Sequence, residues 1–395
     1  MKKIPYALLV LAALGGMVFI SLYSYRHAAS PLPAPPTPLS PTQPISPAAT
    51  QSVSSAYPDD VSHLAWFYKP PQESDFAFVA DHFDFFILTH KDEAARDQFR
   101  QAGLDGRFSQ YLLLLIVEDP EGCDENPSGN QVAFKEGDFC MIREQHPDWF
   151  LQDQNGQPIK SGDDTYHMDP GSEGYRQFFL ERARELQETH GWDDLFLDNV
   201  EASPVKMVGD GRSLLKYPDA QSYADAVEGF LAYLRKGYFE PRGRHIYGNI
   251  VSLDDDHVFD QYLQHLDGAM IESFATDWSD GFRDADDWEE QMDRVQNAMA
   301  QGKTMILVAQ GTQGDRALQK FAYASYLLLA DGNAVFRYTH SENYRDLWWY
   351  ENYELDLGAP LGTRYEENGG WRRDFANGYV AVNPSSPEAE IVVNP

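Results

Sequence analysis

The fold class this sequence predicts is a (β/α)8 barrel with a short C-terminal β appendage, preceded by an N-terminal transmembrane helix and a Pro-rich linker. Two observations predict the barrel. From Tyr57 onward, eight short apolar runs alternate with longer amphipathic stretches over about 280 residues, close to the ~250 typical of that fold. Most of these runs are unbroken, which is how strands covered on both faces of a parallel sheet read. A third observation separates the barrel from the start of the chain. Residues 31–50, PLPAPPTPLSPTQPISPAAT, carry no charge and few apolar anchors, so they read as an extended spacer. A doubly wound open sheet is the alternative, but no Gly-rich phosphate loop follows the first run.

In chain order, Lys2 and Lys3 precede an uncharged, mostly apolar stretch over residues 4–23, long enough as a helix to cover about 30 Å of hydrocarbon. Residues 1–27 therefore predict a signal anchor, with the rest of the chain on the extracytoplasmic side of a cell envelope. The alternative is a secreted chain, cut at Ala28-Ala29-Ser30. Residues 28–56 form the linker, 57–352 the barrel and 353–395 the appended β segment, whose strands are expected at 378–383 and 391–393.

The eight strands are expected at residues 64–68, 84–89, 111–118, 194–198, 245–250, 266–272, 304–309 and 333–337. Apolar positions at helical spacing predict helices over 91–102, 175–189, 223–235, 288–300 and 318–330. Asp169-Pro170 reads as a helix N-cap followed by a first-turn proline. Residues 119–169 exceed an ordinary connection and predict a structured loop on the active face. Cys123 and Cys140 lie in it and fit no four-ligand metal spacing. In an exported domain the pair predicts a disulfide, the alternative being two free buried thiols.

A formal charge of −31 repels phosphate backbones, which argues against nucleic acid as a partner and disfavours polyanionic polysaccharides. Neither a His-x-His pair nor His-Glu-x-x-His is present, nor a Gly-x-Ser-x-Gly elbow, so neither a metal nor a cofactor is expected. Asp254-Asp255-Asp256 lacks the glycine and distal glutamate of a calcium loop and reads as a helix start.

The C-terminal strand ends of such a barrel converge on one face, where catalysis sits. The polar residues at those ends are Tyr68 and Lys69, Glu118, Asp198 and Asn199, Asn249, Glu272, Gln310, and Arg337 with Tyr338. Glycoside hydrolysis needs one carboxylic acid for the leaving oxygen and a second carboxylate as nucleophile or base. Asp198 and Glu272, at the ends of strands four and six, are the candidate catalytic pair. The other strand-end residues and Trp278 are candidate substrate contacts, and Trp348 and Trp349 are further stacking candidates. The alternatives are that Asp198 caps a helix or pairs with Arg337, that Glu272 sits in a structural salt bridge, and that the tryptophans are core. A barrel that binds carbohydrate without cleaving it, or a cell-surface scaffold, is the rival function. Only the enzyme requires two facing carboxylates, about 5–5.5 Å apart for retention or 6.5–9.5 Å for inversion.

LFLDNV at strand four, GAMIES at strand six, YHMDPGSEGY and the closing RRDFANGYVAVNPS resemble hypothetical glycosyl hydrolase family fifteen. The same segments resemble, more distantly, the endo-α-1,4-polygalactosaminidase barrels. The resemblance covers most of residues 60–395. It implies a (β/α)8 catalytic domain with its carboxylate pair on strands four and six, which here are Asp198 and Glu272, and a tail packed on the barrel. The expected protein is a monomeric glycosidase domain, anchored in a membrane through residues 4–23, acting on an extracellular carbohydrate.

Overall fold

The computed structural model describes residues 63–104, 106–208, 213–252, 256–277 and 281–394. The expected anchor and linker, and Trp278, lie outside the described residues. Among the described residues no helix is long and apolar enough to cross a membrane.

Eight parallel strands form the barrel wall: β1 (Ala65–Phe67), β2 (Phe85–Leu88), β3 (Arg107–Leu113), β4 (Asp194–Glu201), β5 (Ile246–Val251), β6 (Gly268–Ile271), β7 (Thr304–Gln310) and β8 (Ala334–Thr339). A parallel bridge between Leu64 and Phe336 brings the two ends of the sheet together, and the Phe336 N–H donates to the His63 carbonyl at 2.9 Å. The connecting helices are α1 (Phe76–His82), α2 (Glu93–Gln101), α3 (Glu173–Glu188), α4 (Ala220–Leu234), α5 (Asp256–Leu263), α6 (Ala285–Ala300) and α7 (Arg316–Leu329).

Alternation along the strands sorts side chains between two cores. Trp66, Phe86, Leu195, Leu197 and Leu307 face outward and pack under the helices. Twelve inward residues, among them Phe67, Phe85, Tyr111, Phe196, Tyr247, Met270, Val308 and Val335, form a separate interior cluster. These buried side chains fill the interior, so the barrel is packed rather than a pore.

At the base of that interior Asp194 is fully buried and accepts both Nε and Nη2 of Arg107 at 2.5 Å, with the His245 N–H at 2.9 Å. Burial alone would push its carboxyl up, but the hydrogen bonds from His245 and Arg107 outweigh it and hold the pKa below the usual range. Arg107→Met would leave that buried charge with its His245 contacts alone. We expect a loss of about 2 kcal/mol in urea unfolding, less than for a wholly buried pair because Arg107 is 39 % exposed and screened. A lowered native pKa stabilises above the unfolded value, so the difference between wild type and variant should shrink as pH falls below about 4 and through the lower native value.

Three expectations need correction. The third strand is not 111–118: it begins at Arg107 and ends at Leu113, and Ile116–Glu118 pairs with Thr165–His167 in a separate three-stranded sheet. Residues 111–117 are one uninterrupted apolar run, so periodicity could not show the chain leaving the barrel within it. The α3 N-cap is Ser172, whose Oγ accepts the Tyr175 N–H, and Asp169 instead takes Lys216 Nζ at 2.5 Å. The tail holds four strands rather than two: β9 (Tyr365–Glu367), β10 (Gly370–Phe375), β11 (Gly378–Asn383) and β12 (Glu388–Val393), antiparallel in sequence order.

The tail sheet packs on α7. Arg373 fastens it by donating to the carbonyls of Leu327 and Ala330, which the end of α7 leaves without helical partners. Arg364 pairs with Glu289 and Asp293 of α6 and stacks on Trp371 at 3.9 Å. The excursion after β3 contains the Cys123–Cys140 disulfide, with Cα atoms 5.7 Å apart.

Candidate active site

Continuing each strand's inward series past the apolar cluster reaches the mouth of the barrel. Phe196 is followed two residues later by Asp198, Tyr247 by Asn249, Met270 by Glu272, Val308 by Gln310 and Val335 by Arg337. The same alternation that fills the interior with apolar side chains therefore ends in a ring of polar ones.

Strand β4 does not stop at Asp198. Its register against β5 shifts between Leu197 and Val200, and Asn199 adopts a left-handed conformation (φ 52°). Asparagine tolerates that region better than most residues, and such an irregularity re-aims a side chain beside an active site. Asp198 Oδ1 accepts Asn249 Nδ2 at 3.0 Å, and its Oδ2 accepts the Tyr111 hydroxyl in a short bond.

The same Asn249 Nδ2 donates to Glu272 Oε2 at 2.9 Å. The two carboxylate oxygens can therefore be no farther apart than the sum of those lengths, about 6 Å. With the ~120° between the two hydrogens of an amide, the separation is about 5 Å. The other Glu272 oxygen accepts the Tyr344 hydroxyl at 3.3 Å, and Gln310 Nε2 donates to that hydroxyl at 3.3 Å. Tyr68 follows β1 with φ 72°, and its ring meets Tyr111 and Tyr344 edge-on at 5.2 and 4.7 Å.

The environment distinguishes the two carboxyl groups. Burial, then the charge of Asp198, pushes Glu272 up to about 7. Burial also raises Asp198, against hydrogen bonds from Tyr111, Asn249 and the Asn199 N–H that favour its ionised form. Burial first, and the Asp198 charge next, raise Tyr111 well above its ordinary value; burial and the Glu272 charge do the same for Tyr344, so both remain hydroxyl donors. Burial raises both groups, but three hydrogen bonds favour the charged form of Asp198 while the Asp198 charge itself disfavours that of Glu272, an asymmetry suited to nucleophilic and acid roles.

The other sequence candidates lie as follows. Arg337 is buried under the mouth, donates to the carbonyls of Phe67 and Tyr344 and stacks on Trp66; it pairs with backbone, not with Asp198. Tyr338 faces outward, with its hydroxyl on the Thr312 carbonyl at 3.1 Å. The Lys69 side chain is exposed, and Glu118 sits in the excursion sheet, where it accepts Ser128 Oγ. Trp349 bonds Glu354 and packs on Phe78 and His82, while Trp348 packs on Tyr338, so neither lies at the carboxylate pair. Two residues at the pair were missed. Tyr111 occupies an inward position on β3 and was legible once the strand's true span was known. Tyr344 comes from the loop after β8, which has no periodicity to read.

The model of hypothetical glycosyl hydrolase family 15 matches residues 110–379. No curated protein matches the sequence. Among solved structures the chain is similar to the glycoside hydrolase domain of PelA from Pseudomonas aeruginosa, with 17% identity, a TM-score of 0.48, and coverage of 72% of this chain and 96% of that one. It is also similar to the noncanonic maltogenic α-amylase AmyB from Thermotoga neapolitana (12%, TM-score 0.47, 81% and 85%). A third is the α-galactosidase AgaA from Geobacillus stearothermophilus (12%, TM-score 0.45, 83% and 48%). The family match spans more than half of the sequence and takes in both β4 and β6, and the chain belongs to hypothetical glycosyl hydrolase family 15.

Proposed function

We propose that the chain is a glycoside hydrolase that cleaves glycosidic bonds of an extracellular poly- or oligosaccharide, with Glu272 as general acid and Asp198 as nucleophile. The observation that carries this reading is the single Asn249 amide bridging both carboxyl groups. The separation of about 5 Å that follows is that of retaining enzymes, with no room for a water between carboxylate and sugar. Glu272, protonated up to about pH 7, gives its proton to the leaving oxygen as Asp198 bonds to the anomeric carbon. Glu272, now a carboxylate, then takes a proton from the water that releases the sugar. Tyr111 and Asn249 hold Asp198 in place, favour its charged form before it attacks, and stabilise the carboxylate that leaves when water releases the sugar.

The Cys123–Cys140 disulfide supports placement in an oxidising compartment outside the cytoplasm, consistent with an anchor over residues 4–23. The acidic surface favours neutral or amino sugars over uronic acids. A polysaccharide panel with reducing-end detection tests the assignment, with NMR of the first-formed product anomer. Turnover with retained configuration is expected. An inverted product would exclude Asp198 as nucleophile, and binding without turnover would favour a carbohydrate-binding barrel.

A further inference from the structure

Outside the catalytic mouth, two neighbouring connections bring two histidines and a glutamate together. His90 opens the 3-10 turn that leads from β2 into α2, Glu93 is the first residue of α2, and His190 follows α3. His90 Nδ1 lies 2.8 Å from Glu93 Oε1, and His190 Nδ1 lies 3.2 Å from the same oxygen. Trp192 Nε1 donates to that oxygen as well, at 3.3 Å. Three ring nitrogens thus surround one carboxylate, His90 and Trp192 on Oε1 and His190 Nδ1 between Oε1 and Oε2, the latter at 3.4 Å. The three side chains are 22, 27 and 28 % exposed, so the cluster is held by packing yet open to solvent on one side.

We propose that His90, Glu93 and His190 form a zinc site that clips the β2–α2 turn to the α3–β4 loop. Zinc bonds of about 2.0–2.2 Å at a tetrahedral angle hold neighbouring ligand atoms about 3.3 Å apart. Here the two His–Glu pairs stand at 2.8 and 3.2 Å, and none of the three ligand atoms is more than 4.8 Å from another. Side-chain rotation covers the difference. Two imidazoles and one carboxylate suit zinc, leaving the fourth position for water, whereas magnesium and calcium take oxygen ligands. The outer contacts are in place too. Trp192 orients Glu93, and Arg96 Nη1 fixes the His190 carbonyl at 2.7 Å. The proposal is independent of the glycosidase reading.

Calorimetric titration of the untagged full chain with zinc chloride at neutral pH is the test, together with thermal unfolding. One zinc per chain is expected, with a rise in Tm and a change in tryptophan fluorescence from Trp192, and no heat with magnesium chloride. His190→Ala should weaken uptake by more than the roughly 10–100-fold that loss of an outer-shell partner costs. His90→Gln, which keeps a donor for Glu93 and so preserves the fold, should do the same. Absence of saturable zinc uptake by the wild type would overturn the proposal, as would undiminished uptake by the doubly substituted chain.

Discussion

Replacing Glu272 with Gln is expected to lower kcat on a natural glycoside by roughly 10²–10⁴-fold, the usual contribution of a positioned general acid. On an aryl glycoside whose leaving group departs without a proton, kcat/KM should nearly recover. There kcat should stay low, because Glu272 also serves as base toward the water of the second step. Asp198→Asn should abolish turnover of both substrates, because the bond to the anomeric carbon itself is lost. Azide separates the roles further. Added to Asp198→Ala it should yield a glycosyl azide of inverted configuration, and added to Glu272→Ala one of retained configuration. The opposite pattern would exchange the two assignments, and activity surviving both substitutions would remove the pair altogether. In the wild type the basic limb of the pH profile should fall at about 7, where Glu272 loses the proton it must donate. Asp198→Asn removes one of the causes raising that value, so a direct titration of Glu272 in that variant should give a lower pKa, still held up by burial.

How much of this was written plainly in the sequence depends on whether a residue's role is set by its own strand. Asp198, Asn249, Glu272 and Gln310 each continue an alternation that begins with a buried apolar residue two positions earlier. A barrel and a strand end therefore suffice to place them. The rule fails where it is applied without the phase. Arg337 and Tyr338 both end β8, but only the odd phase points inward, and Tyr338 packs among helices instead. The third strand failed for a different reason: Ser109 and Gln110 made its first half look polar, although both are fully buried. That error hid Tyr111. Tyr344 depended on tertiary structure alone: its loop is held at the mouth by Arg337 on the Tyr344 carbonyl at 2.6 Å and by the packing of its ring on Phe67 and Tyr68.

Asn249 provides the second large effect, and its sign is fixed by the hydrogen bonds. The amide donates to both carboxyl groups, and each bond favours the charged form of its acceptor. Asn249→Ala removes both donors at once. The Asp198 and Glu272 pKa values should both rise, so the whole bell of kcat/KM against pH should move to higher pH rather than broaden or narrow. Activity at the optimum should fall by roughly 10²–10³-fold, as when a preorganised donor is lost from other active sites. A merely structural role predicts something else, a lower kcat with both limbs unmoved. Tyr111→Phe supplies the contrast, because Tyr111 bonds Asp198 alone. It should raise the acid limb and leave the basic limb near its wild-type position, narrowing the profile from one side. If Asn249→Ala moves only one limb, the amide does not bridge the pair in solution, and the separation of about 5 Å that favours retention loses its support.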